Sequence, residues 1–444
     1  MGITGSPAGR GAGVRGLAAA TPASRDRYVD LLRVASLAVV VLGHWLMAAV
    51  TADGEVGNLL AVVPGLQILT WALQVMPVFF FVGGFSHALA HRSCPRYAAF
   101  LRARLQRLLR PTAVFIGMWG VLALAVQLLG ADGGLTGVAL RLVAQPLWFI
   151  GIYLAMVALT PPLLRLHGDR GWGAFAVLVT GAVLVDVLRF AAGVPYVEFL
   201  NFAFVWLAIH QLGFLRADGM IRRPAFLAAA GLVGAALLVA LGPYPLSMVG
   251  MPGEKVSNMA PPTLALLCHG LWLVGAVELL RGPGARFAAR ARVWRAVVAA
   301  NGIAMTAFLW HLTAMLGVYG ALLALGVRLP GPATAAWWAH VPLRLAAAAA
   351  LTALLVTLFR RFERPSPAAP STGAGGPLAA LGITLALFGV LGLSMTGFGG
   401  LLEGRSATLV AVRVTAPAAV AMTLAGWFLV ERAGRAVLRP PAGD

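Results

Sequence analysis

Asp30-Leu-Leu-Arg33-Val-Ala-Ser-Leu-Ala-Val-Val-Val-Leu-Gly-His44 is an apolar run with ionisable side chains at both ends. Arg33 and His44 are eleven residues apart, close to three turns at about 3.6 residues per turn. They share one helix face, offset by roughly 20°, with His44 roughly 16 Å further along the axis. An ionisable residue inside a membrane span faces a bundle interior or a wet cavity, and marks function by default. The stretch therefore reads as a cationic rim with a titratable group near the midplane; the plainer alternatives are a neutral imidazole bonded to a neighbouring helix and an arginine that snorkels to the cytoplasmic headgroups. Asp30, three residues before Arg33, is placed to pair with it. It lies roughly 21 Å from His44 and cannot orient that ring. A carboxylate that does so must come from another helix, and Glu278, Asp186 and Glu198 are the candidates.

The surrounding chain fits a membrane. Of 444 residues, 60% are hydrophobic and 11% charged, beyond what a soluble domain of this length needs. Apolar runs are continuous rather than alternating, which excludes a β-barrel. Backbone groups in lipid must pair within their own helix, so the fold class is all-α, a polytopic membrane helical bundle. The run 59–90 is too long for one straight span: either Pro64 and Pro77 break it, or its first part lies in the interface.

A net charge of +19 raises the question of nucleic acid, but the cations are placed by topology. Arginine-rich segments (10–27, 91–111, 165–170, 216–223, 281–295, 360–364, 432–439) alternate with poor ones along the chain. The positive-inside rule then gives about twelve spans with both termini cytoplasmic and no nucleic-acid partner. Residues 1–25 read as a disordered cytoplasmic tail and 26–362 as a core of about ten spans. A Pro/Gly/Ser linker at 363–376 leads to an additional helix pair at 377–432 and a tail at 433–444. The pair has few ionisable groups and reads as a packing accessory. Two cysteines, Cys94 and Cys268, have neither disulfide nor metal spacing, and no metal is expected.

Three further clusters carry chemistry. Pro77-Val-Phe-Phe80-Phe-Val-Gly83-Gly84-Phe-Ser-His87 joins aromatics to paired glycines that admit a close neighbour, either a helix or a ligand. Arg102, Arg104, Arg107 and Arg110 precede Pro111; the last three recur every three residues and line one side of a helix. Arginine forks suit phosphate oxygens, although a topogenic signal or anionic-lipid contact explains the row equally well. Trp148, His210, His269 and His311 lie deeper, where structural packing is the plainer reading of each alone. His87, His91, His167 and His340 fall near span ends or in loops and are set aside.

Taken together, these residues resemble the membrane acyltransferase-3 family of bacterial O-acyltransferases. That family opens with D-x-x-R and a histidine eleven residues after the arginine, here Asp30, Arg33 and His44. Its aromatic stretch ending in S-G-F is similar to Phe79–Phe85, with Gly83 in place of the serine. Its R-x-x-R before a proline is similar to Arg104, Arg107 and Pro111, displaced by a residue. Its Trp-Phe pair resembles Trp148-Phe149, and its late aromatic-x-x-His resembles Phe308 to His311. The likeness spans roughly residues 25–362, and the Arg-to-His spacing is its specific part. No SGNH hydrolase-like domain accompanies it, so no second catalytic serine is expected.

The resemblance implies a multi-pass enzyme of the bacterial cytoplasmic membrane. It would transfer an acyl group, often acetyl, from acyl-CoA to a hydroxyl of a carbohydrate, envelope component or secondary metabolite. CoA phosphates would dock on Arg104, Arg107 and Arg33, within a basic stretch that includes Arg102 and Arg110. His44 would act as general base with Arg33 and Asp30 beside it, ahead of a transient acyl-imidazole. Phe80, Gly83, Gly84, Trp148, His210 and His311 would surround the substrates. The rival reading is a proton-coupled transporter or flippase, which intramembrane histidines also suit. The absence of an internal repeat and the arginine row stand against it. A scaffold or sensor explains the topology but not the Arg33–His44 pair.

Overall fold

The computed structural model describes residues 13–363 and 375–433, apart from 23, 52, 54, 132, 252, 410 and 411. Ahead of the first span a short helix, α1 (Val14–Ala19), rests on Trp294, whose indole N–H donates to the Ala18 carbonyl at 3.3 Å. The expected disordered tail is thus ordered over these residues, because Ala18 is buried with Trp294 and Val297. Residues 1–12 and 434–444 of the expected tails, and 364–374 of the expected linker, lie outside the described residues.

The first span, α2 (Arg27–Met47), begins where the Asp26 carboxylate accepts from the Val29 amide at 3.1 Å. It ends in a hairpin of β1 (Ala48–Val50) antiparallel to β2 (Val56–Asn58). Next come α3 (Leu59–Val62), a 3₁₀ turn opened by Pro64, and α4 (Thr70–Leu73). Pro77 then opens α5 (Met76–Ser93), so the long run is broken at both expected prolines. Each sits in a first turn, where its missing N–H has no intrahelical partner to lose.

α6 (Tyr97–Leu128) continues through Pro111, so the arginine row and the third span are one helix. α7 (Gly134–Leu142), α8 (Leu147–Arg170), α9 (Trp172–Phe190), α10 (Asn201–Ala217) and α11 (Pro224–Leu241) follow. α12 (Leu264–Leu279) bends by 58° into α13 (Arg281–Ala289). α14 (Ala291–Asn301) stops at Gly302, and α15 (Ala304–Ala324) follows. α16 (Ala335–Phe359) closes the core.

Beyond it lies α17 (Gly376–Thr396). Within the expected helix pair at 377–432, β3 (Ser406–Leu409) runs antiparallel to β4 (Val412–Thr415) before α18 (Ala416–Ala433) begins. The β-branched Val412, Val414 and Thr415 favour the extended form there. Among the described residues ten helices are long and apolar enough to cross a membrane, or eleven with the bent pair. The protein is a mostly helical, multi-pass membrane protein. Exposed leucines and valines on α6, α9 and α11 supply the outward apolar surface that lipid requires.

α5 is the central post, packed against α10, α2, α8 and α12. It meets α10 backbone to backbone. A Cβ on Gly84 would lie 2.0 Å from the His210 carbonyl oxygen, and one on Gly213 would lie 2.3 Å from that of Phe81. Phe80, Phe149, Trp206 and Phe308 form a fully packed aromatic layer around this crossing. The C-terminal pair seats on α8 and α6, where Leu391 covers Gly151 and Phe398 stacks beside Trp119.

Candidate active site

α2 presents two unlike exposed faces. Ala35 and Leu42 are exposed on one side, as lipid-facing residues are. His44, roughly 160–180° around the helix from both, is also exposed. It faces inward, against the fully buried His311 of α15, and therefore borders open space inside the bundle. Arg33 shares this inner face, as the eleven-residue spacing requires.

The partner of His44 is an imidazole. His44 Nδ1 and His311 Nε2 are 3.2 Å apart, with ring centroids at 5.1 Å. His311 Nδ1 lies 2.5 Å from the Phe308 carbonyl, which can only accept, so that nitrogen carries the proton of the neutral ring. His311 Nε2 is then an acceptor and His44 Nδ1–H donates to it. The Val40 carbonyl, one turn back, is a further acceptor beside the His44 ring. This assignment of tautomers leaves the His44 Nε2 lone pair free. The carboxylates considered for this task are engaged elsewhere. Glu278 is bonded to Arg216. Asp186 accepts from Asn201 at 2.8 Å, Tyr244 at 3.0 Å and the Leu264 amide at 2.8 Å. Glu198 makes no such bond to His44. The Trp45 indole donates to the His311 carbonyl at 3.0 Å and ties the two helices together beside the pair.

Toward the arginine-rich end, Asp30 is buried between Arg25 at 2.5 Å and Arg33 at 3.2 Å. Its bond to Arg25 pushes that guanidinium further into its charged range. Arg33 also donates to Ser86 Oγ on α5 at 2.7 Å. Ser86 was not singled out in the sequence. It stands three residues after Gly83, close to one turn on. Arg104 lies within Coulombic reach of Tyr153, Arg33 and Arg107, and its Nε is buried without a hydrogen-bond partner among the described residues. Arg107 is exposed beside it. Arg102 is buried on another face of α6, and Arg110 sits over the Phe362 ring at 5.9 Å. The structure thus brings together Arg33, Arg104 and Arg107, and not the whole row.

The other expected site residues occupy a separate layer. His210 is fully buried, with Nε2 3.0 Å from His87 Nδ1, and His87 Nε2 is 2.9 Å from the Tyr153 hydroxyl. His87, set aside as near a span end, is therefore a core residue. Gly84 admits the α10 backbone rather than a ligand, and Gly83 faces Tyr153 with a Cβ-to-ring distance of 3.6 Å. Phe80 is fully packed, and Trp148 is half-buried at the edge of the aromatic layer. Among the described residues no group of three or more His, Cys, Asp or Glu side chains is placed to hold a metal ion.

A family model described as an acyltransferase domain, that of the acyltransferase-3 family, matches residues 26–361. No curated protein and no solved structure matches the chain.

Proposed function

The chain belongs to the acyltransferase-3 family, and from that premise we propose that this membrane acyltransferase uses acyl-CoA to acylate a hydroxyl, with His44 as general base. The observation that carries this reading is the proton chain from His44 Nδ1 through His311 to the Phe308 carbonyl. It holds the ring so that Nε2 can take a proton, on a helix face that borders internal space. The acceptor hydroxyl would give its proton to Nε2 while its oxygen bonds to the thioester carbonyl carbon. The C–S bond then breaks, and the imidazolium returns the proton to the departing CoA sulfur. Such acid–base assistance is worth about 10²- to 10⁴-fold.

Arg104 and Arg107, with Arg33 behind them, would take the CoA phosphates. A buried guanidinium nitrogen without a partner favours an anion at that place. We take the arginine-rich end as cytoplasmic and the membrane as the bacterial inner membrane. The acceptor would be a carbohydrate, envelope component or secondary metabolite. The family is one of acyltransferases, which leaves the carrier alternative without support.

Acyl-CoA turnover by the purified full-length protein in nanodiscs tests the reading, with envelope extract as the acceptor source. Wild type is expected to release CoA, and His44→Ala to lose about 10²- to 10⁴-fold. Equal rates would remove His44 as the base. Failure of wild type to bind acyl-CoA would remove the donor. Arg104→Gln is expected to raise the KM for acyl-CoA about tenfold with kcat held, as loss of one charged hydrogen bond predicts.

A further inference from the structure

A second group of cationic side chains lines an open cleft at the arginine-rich end, apart from Arg33 and His44. The cleft has a volume of about 680 Å³ and lies between the ends of α5, α8 and α10. Arg92 enters it from α5, and Arg165 and Arg170 from the last turns of α8, over a partly apolar floor that includes Leu164 and Met220. Asp218 is the one carboxylate in the lining.

The cleft has a built wall. Arg92 grips Asp218 through two bonds of 2.6 and 2.9 Å. His167 Nε2 donates to the same carboxylate at 2.8 Å, and the Gln211 amide nitrogen donates to His167 Nδ1 at 2.7 Å. Gln211 and His167 are buried, so this chain of bonds runs from the packed core to the rim and fixes the Arg92 guanidinium there. The bond to Arg92, and next that to His167, holds Asp218 below the usual carboxylate range, so it stays ionised at neutral pH. Arg165 and Arg170 are exposed and form no ion pair among the described residues. His91 Nδ1 is buried in the wall without a partner. Three guanidiniums thus face one carboxylate, and the cleft carries an excess of positive charge.

We propose that this cleft binds a phosphate group, from an anionic lipid headgroup or a soluble phosphorylated molecule, on Arg92, Arg165 and Arg170. Guanidinium forks match phosphate oxygens in pairs, and a basic pocket between spans is the usual seat of a phosphorylated headgroup. The apolar floor suits the carbon skeleton next to such a phosphate. The cleft is separate from the site on Arg104. Tyr153, beside Arg104, precedes Arg165 on α8 by roughly 18 Å of helix. The Phe100 ring packs against both His87 and His91 between them.

The test uses the full-length protein in neutral detergent, titrated with phosphatidylglycerol, phosphatidylcholine or inorganic pyrophosphate, with thermal unfolding as the readout. Phosphatidylglycerol or pyrophosphate, but not phosphatidylcholine, is expected to raise the midpoint saturably. The double variant Arg165→Gln/Arg170→Gln, which breaks no ion pair, is expected to weaken that response about tenfold or more. A response to phosphatidylglycerol alone assigns the lipid headgroup, and one to pyrophosphate assigns a soluble phosphate. Either no rise with both anions, or an equal rise in the variant, overturns the proposal.

Discussion

Two pairs of imidazoles lie inside the bundle, and they are opposites. In His44–His311 one ring is buried and anchored to a carbonyl, while the other borders internal space with a free ring nitrogen. In His87–His210 both rings are fully buried, and only His210 Nδ1 lacks a partner. The residue types and the separation of the nitrogens are nearly the same. What differs is access, which follows from the helices carrying them. α5 and α10 touch backbone to backbone beside the second pair, whereas α2 meets α15 through the Trp45 and His44 side chains beside the first. An ionisable residue in a span is thus a candidate for chemistry only when one of its atoms has somewhere to act.

The widest separation between the pairs is expected from removing one ring of each. His44→Ala should cost about 10²- to 10⁴-fold in turnover with little change in thermal midpoint, since an exposed ring packs little. His87→Phe should do the reverse. It leaves His210 and Tyr153 without partners, at a cost of about 1–3 kcal/mol for a buried polar group, while folded molecules keep most of their activity. A His87 variant that folds normally and is inactive would erase the distinction. Next in size is His311, assigned here to positioning rather than to contact with substrate. His311→Phe should lower kcat on the order of 10- to 100-fold, by analogy with the groups that orient metal-bound imidazoles. The KM for acyl-CoA should hold. His311→Gln, whose side-chain carbonyl can accept from His44 Nδ1–H, should recover part of kcat. Absence of any rescue, with a risen KM, would place His311 at the substrate instead.

Much of this was legible in the residues. The helical class, the break of 59–90 at Pro64 and Pro77, and the shared face of Arg33 and His44 follow from composition and period alone. The family likeness followed from the same spacing, and the match over 26–361 bears it out. The partner of His44 was not legible, because two side chains on α2 and α15 separated by 267 positions meet only through packing. Electrostatic habit pointed to a carboxylate, and Glu278 and Asp186 were already committed to other donors. Gly84 was ambiguous for a similar reason. A glycine marks a close approach without saying what approaches. The one available clue is symmetric, since His87 follows Gly84 by three residues and His210 precedes Gly213 by three.

That symmetry yields a smaller, sharper test on adjacent residues. Gly84→Ala would put a methyl 2.0 Å from the His210 carbonyl oxygen, which is backbone and cannot rotate away. The helices must part, at about 1–3 kcal/mol of stability by analogy with overpacked cores. Gly83→Ala meets only the Tyr153 ring at 3.6 Å, an ordinary contact, and should be neutral or gain up to about 1 kcal/mol from helix propensity. Unfolding midpoints in detergent read both. Equal responses would mean that the crossing is not what locks the second pair.

The smallest effect is expected at the residue that joins the two regions. Ser86 and His87 are neighbours on α5, about 100° apart around the helix. His87 turns into the core, while the Ser86 hydroxyl accepts from Arg33 on the helix that carries His44. Ser86→Ala removes that acceptor but leaves Arg33 paired with Asp30 at 3.2 Å, so the charge stays and only its direction loosens. If Arg33 helps seat the donor, the KM for acyl-CoA should rise about three- to tenfold with kcat held, and Ser86→Thr should restore it. A fall in kcat at constant KM would say that Arg33 acts on the reacting groups near His44. The cationic rim and the base would then be one site rather than two ends of a path.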